Sequence, residues 1–322
     1  MTLRLVYRSY GGENLKGRPD FYSKDLALAS FALAASRTPT EIVFLNDGPV
    51  PDGRLESMRA LGEVVSLGNA PSGMRSSYRA AIQLAANRWG ANELVYLSED
   101  DYLYHPDAFR RLARALPHLP PTAYVALYAA TPTHHNVAEF PTGYHPPRTW
   151  RPGPDVVVDG QRWTNVMSTT STFGARSGAL REDLWIFRLC MFPFRNRLLD
   201  HETCLIYQGQ APHAGMEVIT GRPSEYPNTV WGRGRRYLLA PFRIAHNAAA
   251  RTRRGHGHLL YAPDANLACH LESEVMNPGR DWAAIAAEVA ALARRDLPSP
   301  VAALVKGSRF PTQSADPPER TP

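Results

Sequence analysis

Three consecutive acidic residues, Glu99, Asp100 and Asp101, directly follow the apolar run Leu94–Ser98. The run predicts a buried strand, and acids at the carboxyl end of a strand lie where α/β sheets bind ligands. Adjacent carboxylates repel one another unless a cation or basic groups compensate. Mg²⁺ and Mn²⁺ prefer oxygen ligands and share them with substrate phosphates. The pattern therefore indicates either a divalent-metal site that holds a diphosphate or an acidic turn that caps the next helix.

Strand and helix signals alternate through the first 130 residues and predict the framework that positions these acids. Short apolar runs predict strands, and longer Ala- and Leu-rich segments predict helices. The predicted strands span residues 3–7, 41–45, 62–67, 93–97 and 124–128, and the predicted helices span residues 25–35, 76–89 and 106–115. This alternation predicts an α/β fold with a mostly parallel sheet flanked by helices.

The remainder of the chain has a different character. Residues 131–162 are rich in Pro, Gly, His and aromatic residues and form a long connection, which is typical of a functional loop. Helices are predicted at 181–187, 200–207 and 281–295, the last with Asp281 as its N-cap. The composition after residue 306 predicts a disordered tail. We therefore expect a C-terminal helical and irregular extension, divided into a helix at 276–305 and a tail at 306–322.

Composition limits the class of protein. No apolar stretch is long enough to span a bilayer, and Met1–Tyr7 predicts a first strand rather than a signal peptide, so we expect a cytoplasmic protein. The three cysteines are widely spaced, which argues against a zinc site or a disulfide framework. The net charge of +6 predicts affinity for anions.

Basic residues crowd the segment 233–254. It carries seven arginines, which predict phosphate contacts, an anionic acceptor, peripheral contact with a membrane surface, or simply a solvated basic face. Nucleic acid is not expected as a partner because no nucleic-acid-binding motif accompanies this charge.

The acidic triplet and the Pro106–Phe109 segment after it resemble the DXD-type motif of GT-A glycosyltransferases, here in an EDD form. The order of elements resembles glycosyltransferase family 2. The resemblance implies a GT-A (Rossmann-like) fold, a nucleoside-diphosphate-sugar donor and a divalent metal, Mn²⁺ or Mg²⁺. It assigns metal coordination to Asp101, proximity to the donor ribose or sugar to Asp100, and a nearby donor-site position to Glu99.

Further residues match the family's donor-binding segments. Asp47, in the turn after the second predicted strand, resembles the acid that hydrogen-bonds the nucleobase, although Asn46 and Pro49 depart from the family pattern. Arg8, at the end of the first strand, is expected to meet a phosphate. Arg75, in a glycine-containing loop, is the other predicted donor contact. The turn at Asp47 and both arginines also have ordinary explanations, as a loop and as surface charges.

The segment Asp200-His201-Glu202 resembles the start of the helix that supplies the family's catalytic base. An inverting transfer needs a carboxylate that accepts a proton from the acceptor hydroxyl. Asp200 and Glu202 are both candidates, and we favour Glu202; acids that suit a helix dipole are the alternative.

Two segments complete the predicted site. Some GT-A enzymes recruit a late histidine as a metal ligand, and His270 is the candidate, with His256 and His258 in reserve and a structural histidine as the alternative. Hydroxyls within 168–175 are expected to contact sugars or to pair within a strand.

The resemblance makes residues 1–130 the donor-binding half and residues 131–275 the acceptor and catalytic half of one domain. The predicted function is metal-assisted, inverting transfer of a sugar from a nucleoside-diphosphate-sugar to an acceptor hydroxyl. The acceptor is a glycan, a lipid-linked molecule or a small molecule. A nucleotidyltransferase that makes nucleotide-sugars and a non-catalytic nucleotide- or glycan-binding protein on the same scaffold remain the alternatives.

Overall fold

The structure is a computed structural model that describes residues 1–13, 16–129, 150–192, 198–222, 228–276 and 279–306. Most of the predicted loop at 131–162 and all of the predicted tail except Lys306 lie outside the described residues. No described helix combines the length and apolarity needed to cross a membrane.

The first part of the chain alternates strands and helices as predicted. Its elements are β1 (Leu3–Tyr10), α1 (Lys24–Ser36), β2 (Thr40–Asp47), α2 (Asp52–Leu61), β3 (Glu63–Ser66), α3 (Met74–Asn87) and β4 (Leu94–Glu99). Helix α1 begins where the Ser23 hydroxyl accepts a hydrogen bond from the Leu26 amide at 3.0 Å, which satisfies a backbone donor of its first turn.

The second part mixes short strands with helices. Its elements are β5 (Tyr102–Tyr104), α4 (Ala108–Ala115), β6 (Tyr124–Val125), β7 (Val156–Val158), β8 (Gln161–Asn165), β9 (Phe173–Arg176), α5 (Ser177–Cys190), α6 (Asp200–Tyr207), α7 (Glu217–Thr220), α8 (Val230–Leu238), α9 (Ala240–Thr252), β10 (Leu260–Pro263), β11 (Ala268–His270), α10 (Trp282–Asp296) and α11 (Ser299–Leu304).

Two predictions for this part need correction. The strand predicted at 124–128 is only two residues long, and β5 precedes it. The predicted C-terminal helix is in fact two helices, α10 and α11, which meet at Leu297 and Pro298. Proline disfavours helical backbone at the residue before it, so α10 ends there. Asp281 caps α10 as predicted, because its carboxylate accepts from the Ala284 amide at 2.9 Å.

The described strands form one large sheet in the order β3-β2-β1-β4-β9-β6-β10-β8-β7 and a two-stranded sheet, β11-β5. Strands β3, β2, β1 and β4 are parallel, and β6 pairs in parallel with β10. Strand β9 joins antiparallel between β4 and β6, and β8 and β7 extend the far edge antiparallel. The predicted α/β class, with a large, mostly parallel central sheet between helices, is confirmed.

Helices cover both faces of this sheet. Leu5 and Tyr7 of β1 pack into a core with residues of α1 and α4, whereas Val6, between them, packs into a second core with residues of α3 and α5. Strands buried on both faces need apolar residues at successive positions, which explains the continuous apolar run of β4. This packing places the carboxyl ends of β1, β2 and β4 side by side at one edge of the sheet.

Candidate functional site

A cavity of about 690 Å³ opens at the carboxyl ends of β1, β2 and β4. Charged side chains of both signs converge in it. Those that line it are Arg8, Lys16, Lys24, Asp47, Glu99, Asp100, Asp101, Asp200, His270 and Glu272. A concave site with several convergent polar groups is the usual form of a small-molecule binding site. The acids after β4 therefore face a ligand-sized space.

Arg8 and Glu99 form an ion pair at the ends of the neighbouring strands β1 and β4. Arg8 also donates to the Ser77 hydroxyl at 3.0 Å and lies over the Tyr78 ring, 5.8 Å from its centroid. Burial lowers the pKa of Arg8, and nearby acids, Asp100 foremost, oppose that shift. Arg8 is therefore a cation held in place at the cavity wall, as its predicted role at a phosphate requires.

Asp100 pairs with Lys24, the first residue of α1, at 2.9 Å. It also accepts hydrogen bonds from the Tyr10 amide at 2.8 Å and from the Ser9 hydroxyl at 3.3 Å. The Lys24 side chain is only 4% exposed and donates to two backbone carbonyls besides. Burial raises the pKa of Asp100 despite the lysine, so its charge is stabilised less than water would stabilise it. Asp100 thus anchors the loop after β1 and the start of α1.

Asp101 contacts Arg18 at 3.1 Å and the Nε2 atom of His270 at 3.2 Å. Burial alone would raise the pKa of Asp101, but the hydrogen bond with His270 and the charge of Arg18 outweigh it, and the pKa lies well below its usual range. Asp101 is therefore ionised near neutral pH. His270 stacks on Tyr102, with ring centroids 4.7 Å apart and planes at 2°.

The pairing of β11 with β5 places His270 beside Asp101, 169 residues away in the chain. Glu272 follows, with its Oε2 atom 3.5 Å from His270 Nε2 and 2.6 Å from Lys16 Nζ. Among the described residues, no group of three or more His, Cys, Asp or Glu side chains has an arrangement that holds a metal. Asp101 brings a carboxylate oxygen of the kind that Mg²⁺ and Mn²⁺ prefer, and His270 brings an imidazole nitrogen beside it; substrate phosphates and water would have to supply the remaining positions of a bound metal.

Asp47 orders the loop that borders the cavity on the β2 side. Its two carboxylate oxygens accept from the Ser72 amide at 2.6 Å and the Gly73 amide at 3.1 Å. These amides precede α3, so the carboxylate compensates the positive end of that helix. Gly48, with φ of +90°, turns the chain after Asp47, and a side chain there would meet Pro71. Asp47 therefore lines the cavity, and both of its oxygens are engaged by this loop.

Asp200 and Glu202 take different positions at the start of α6. Asp200 lines the cavity, whereas Glu202 does not, and the charge of Glu202 also acts on His201 and His246 outside the lining. Burial raises the pKa of Asp200 to about 7, an effect that Arg8 opposes and Glu202 reinforces. A general base works best with a pKa near the operating pH. The structure thus places Asp200, and not Glu202, in the lining of the cavity, while the choice of base stays a prediction.

The structure also locates the remaining candidates. Thr170 and Ser171 of the predicted hydroxyl segment line the cavity. Arg75 does not, although its neighbours Gly73 and Met74 do. His258 is buried against Asp183 at 2.8 Å, and His256 is exposed, so neither reserve histidine joins the site.

Sequence reasoning missed the three cations that pair with the acids, Lys16, Arg18 and Lys24. Lys24 carried a signal: it stands between the N-cap Ser23 and an apolar helix whose first turn faces the strand ends. A buried lysine there needs an acidic partner. Lys16 and Arg18 lie in irregular chain and gave no such signal.

No family model and no curated protein matches the sequence. Solved structures overlap with it in part. The S. aureus TarS 1–349 structure in complex with UDP is 15% identical over 64% of this chain and 54% of that chain, with a TM-score of 0.39. The galactosyltransferase LgtC, solved with donor and acceptor sugar analogues, is 11% identical over 57% of this chain and 62% of that chain, with a TM-score of 0.31.

A third structure, 4-diphosphocytidyl-2C-methyl-D-erythritol synthase, is 10% identical over 74% of this chain and 97% of that chain, with a TM-score of 0.34. The chain matches about half the length of the TarS 1–349 structures. Overlaps at these scores carry no argument about activity, which must come from the cavity itself.

Proposed function

We propose that the chain is a glycosyltransferase that moves a sugar from a nucleoside-diphosphate-sugar to an acceptor hydroxyl with inversion at C1. One observation carries the proposal: a single cavity contains an ionised Asp101 beside His270, a row of cations and a carboxyl group, Asp200, with a pKa near 7. These are the groups needed to hold a diphosphate and to accept a proton. Within the proposal, residues 1–130 bind the donor and residues 131–275 contribute the acceptor side.

Donor binding rests on the cavity's positive groups. Arg8 and Lys16 line the cavity, where a diphosphate would meet them, and Lys24 holds Asp100 and the loop after β1 in place beside them. Asp101 and His270 would hold a divalent metal, which neutralises the charge that develops on the departing diphosphate. A metal at Asp101 would have to share or replace the contact of this carboxylate with Arg18, so metal and arginine would compete for one carboxylate.

Asp200 would act on the acceptor. The acceptor oxygen attacks C1 of the sugar, the bond between C1 and the diphosphate oxygen breaks, and the hydroxyl proton passes to the Asp200 carboxylate. The nucleoside diphosphate leaves with the bonding electron pair. A carboxyl pKa of about 7 suits this role because the group is basic enough to take the proton and is still ionised in about half of the molecules at pH 7.

The test combines binding and turnover. Calorimetry with UDP, GDP and dTDP, with Mn²⁺ or with EDTA, should show metal-dependent binding of one nucleotide that Asp101→Asn abolishes. Glu202→Gln, an acid outside the cavity, is the matched control and should bind normally. Failure of all three nucleotides to bind would overturn the proposal.

The nucleotide that binds names the sugar conjugates to test for turnover. Release of a nucleoside diphosphate would support glycosyl transfer. Release of pyrophosphate from a nucleoside triphosphate and a sugar phosphate would establish a nucleotidyltransferase instead. Binding without turnover of any conjugate across a broad acceptor panel would indicate a non-catalytic binding protein.

A further inference from the structure

Helix α8 presents apolar side chains to solvent. Trp231 is 84% exposed, Val230 76% and Leu238 75%, while Gly232 and Arg236 form its buried side. Soluble proteins expose single apolar residues routinely, but three large ones on one short helix, with Arg236 buried on the opposite side, depart from the usual arrangement. The exposed face of α8 therefore needs a partner other than the rest of the described chain.

The exposed residues follow helical spacing. Val230, Gly234 and Leu238 are four residues apart and form one row, with Trp231 beside Leu238 on the next row. At about 100° per residue, Arg233 lies on one flank of this apolar stripe and Arg235 on the other. Both arginines are exposed. An apolar stripe bordered on both sides by cations is the arrangement of a helix that lies in a membrane interface.

The surrounding lobe is strongly basic. Residues 228–254 contain seven arginines and no Asp, Glu or Lys. Arg236 and Arg243 are buried, and Arg243 donates to the carbonyls of Val218 and Ile219, which ties α9 to α7. Arg253 pairs with Asp183. Arg233, Arg235, Arg251 and Arg254 are exposed at the surface.

The helices that contact α8 also expose apolar side chains. Helices α7 and α9 both pack against α8 and carry the exposed residues Ile219 and Ile244. We propose that the lobe formed by α7, α8 and α9 docks on the surface of an anionic phospholipid bilayer, with Trp231 and Leu238 inserted between the lipids and the arginines at the headgroups. The proposal does not depend on the proposed sugar transfer.

Charge decides between a bilayer and a second copy of the chain. A twofold dimer through α8 would bring the arginines of one copy against those of the other. Residues 228–254 contain no acid, and Glu217 of α7 already pairs with Arg222 at 3.2 Å, so these acids do not compensate the repulsion. Anionic headgroups compensate it, and acyl chains cover the apolar stripe.

Co-sedimentation with vesicles tests the proposal. The full chain should pellet with vesicles that contain phosphatidylglycerol and not with pure phosphatidylcholine, and added salt should release it. The double variants Trp231→Ser/Leu238→Ser and Arg233→Gln/Arg235→Gln should each lower the partition coefficient by about tenfold or more. Val157→Ser and Arg59→Gln, exposed residues of the same kinds on β7 and α2, are the matched controls and should bind as the unaltered chain does.

Two results would overturn the proposal. The first is that the chain binds both vesicle types equally, binds neither of them, or binds phosphatidylglycerol vesicles as tightly after the α8 substitutions as before. The other is a dimer in light scattering that Trp231→Ser/Leu238→Ser dissociates, which would assign the face to self-association. Unchanged circular dichroism of the variants establishes that they fold. The vesicles are tested without nucleotide. Failure of membrane docking can therefore be told apart from failure of the proposed sugar transfer, which the nucleotide titration tests.

Discussion

The cavity and the face of α8 depart from ordinary burial in opposite directions. At the cavity Lys24 is buried and Asp100 and Asp200 are partly buried, whereas α8 exposes Trp231 and Leu238. Burying an ion and exposing a large apolar side chain both leave the folded state less stable than the reverse placement would. The stability of the fold therefore explains neither region, and each fits a ligand that the described part of the chain does not supply.

The largest expected effect is on turnover. Asp200→Asn removes the proposed base, and turnover should fall by roughly 10²- to 10⁴-fold while nucleotide binding stays within a few-fold. Steady-state kinetics and calorimetry on the same preparation separate the two effects. Glu202→Gln should retain nearly full turnover; a large loss there with none at Asp200 would return the base to Glu202.

The second effect tests the buried ion pair. Lys24→Met leaves Asp100 without its cation and should lower the free energy of unfolding by about 3 kcal/mol or more. Lys24→Met/Asp100→Asn should recover part of that loss, because no unpaired charge remains. Lys16→Met, which breaks the half-exposed pair with Glu272, is the control and should cost less than about 1 kcal/mol. Denaturant titration measures all three, and equal losses for the two lysines would contradict the argument.

The third effect is a pH dependence of stability. Burial raises the folded-state pKa of Asp200 to about 7, so its ionisation opposes folding. This penalty is absent below about pH 4, where the carboxyl is protonated in both states, and is complete above about pH 7. Asp200→Asn should therefore be more stable than the unaltered chain by roughly 1–3 kcal/mol at pH 8, and the advantage should shrink as the pH falls towards 4. Thermal unfolding across this range checks the sign.

The smallest expected effect concerns the exposed face of α8. Trp231→Ser/Leu238→Ser should change the free energy of unfolding by no more than about 0.5 kcal/mol, because these side chains are exposed in the folded chain. Chemical denaturation of the two proteins side by side measures the difference. A loss of several kcal/mol would mean that the α8 face is packed against the rest of the chain.

The sequence predicted the regular half of the fold well. The helix predicted at 200–207 matches α6, and that at 76–89 overlaps α3 closely, since apolar spacing within one element is a local signal. Strand β6 was predicted too long and β5 was not predicted, because such short strands are specified by the strands with which they pair. Strand β5 pairs with β11, more than 160 residues later, and no local window contains that information.

The site was predicted only in part, because several of its contacts join residues that are far apart in the chain. Asp100, Asp101 and Asp200 could be found because each stands at the end of a recognisable element. Lys24 lies 76 residues from Asp100, so the sequence did not show which acid it neutralises. The choice between Asp200 and Glu202 depends on the direction in which the first turn of α6 faces, and a prediction of helix boundaries does not fix that direction.

The pairing of β11 with β5 also determines when the site can form during synthesis of the chain. A ribosome adds about 5–20 residues each second, so His270 follows Asp101 by roughly 10–30 s. Until then the acids exist without their histidine. In the same interval the faces of α1 and β5 that α10 will cover, at Leu26, Leu33 and Leu103, remain open to solvent. The site is thus completed when β11 is made, whereas this hydrophobic surface stays open to aggregation until α10 has followed.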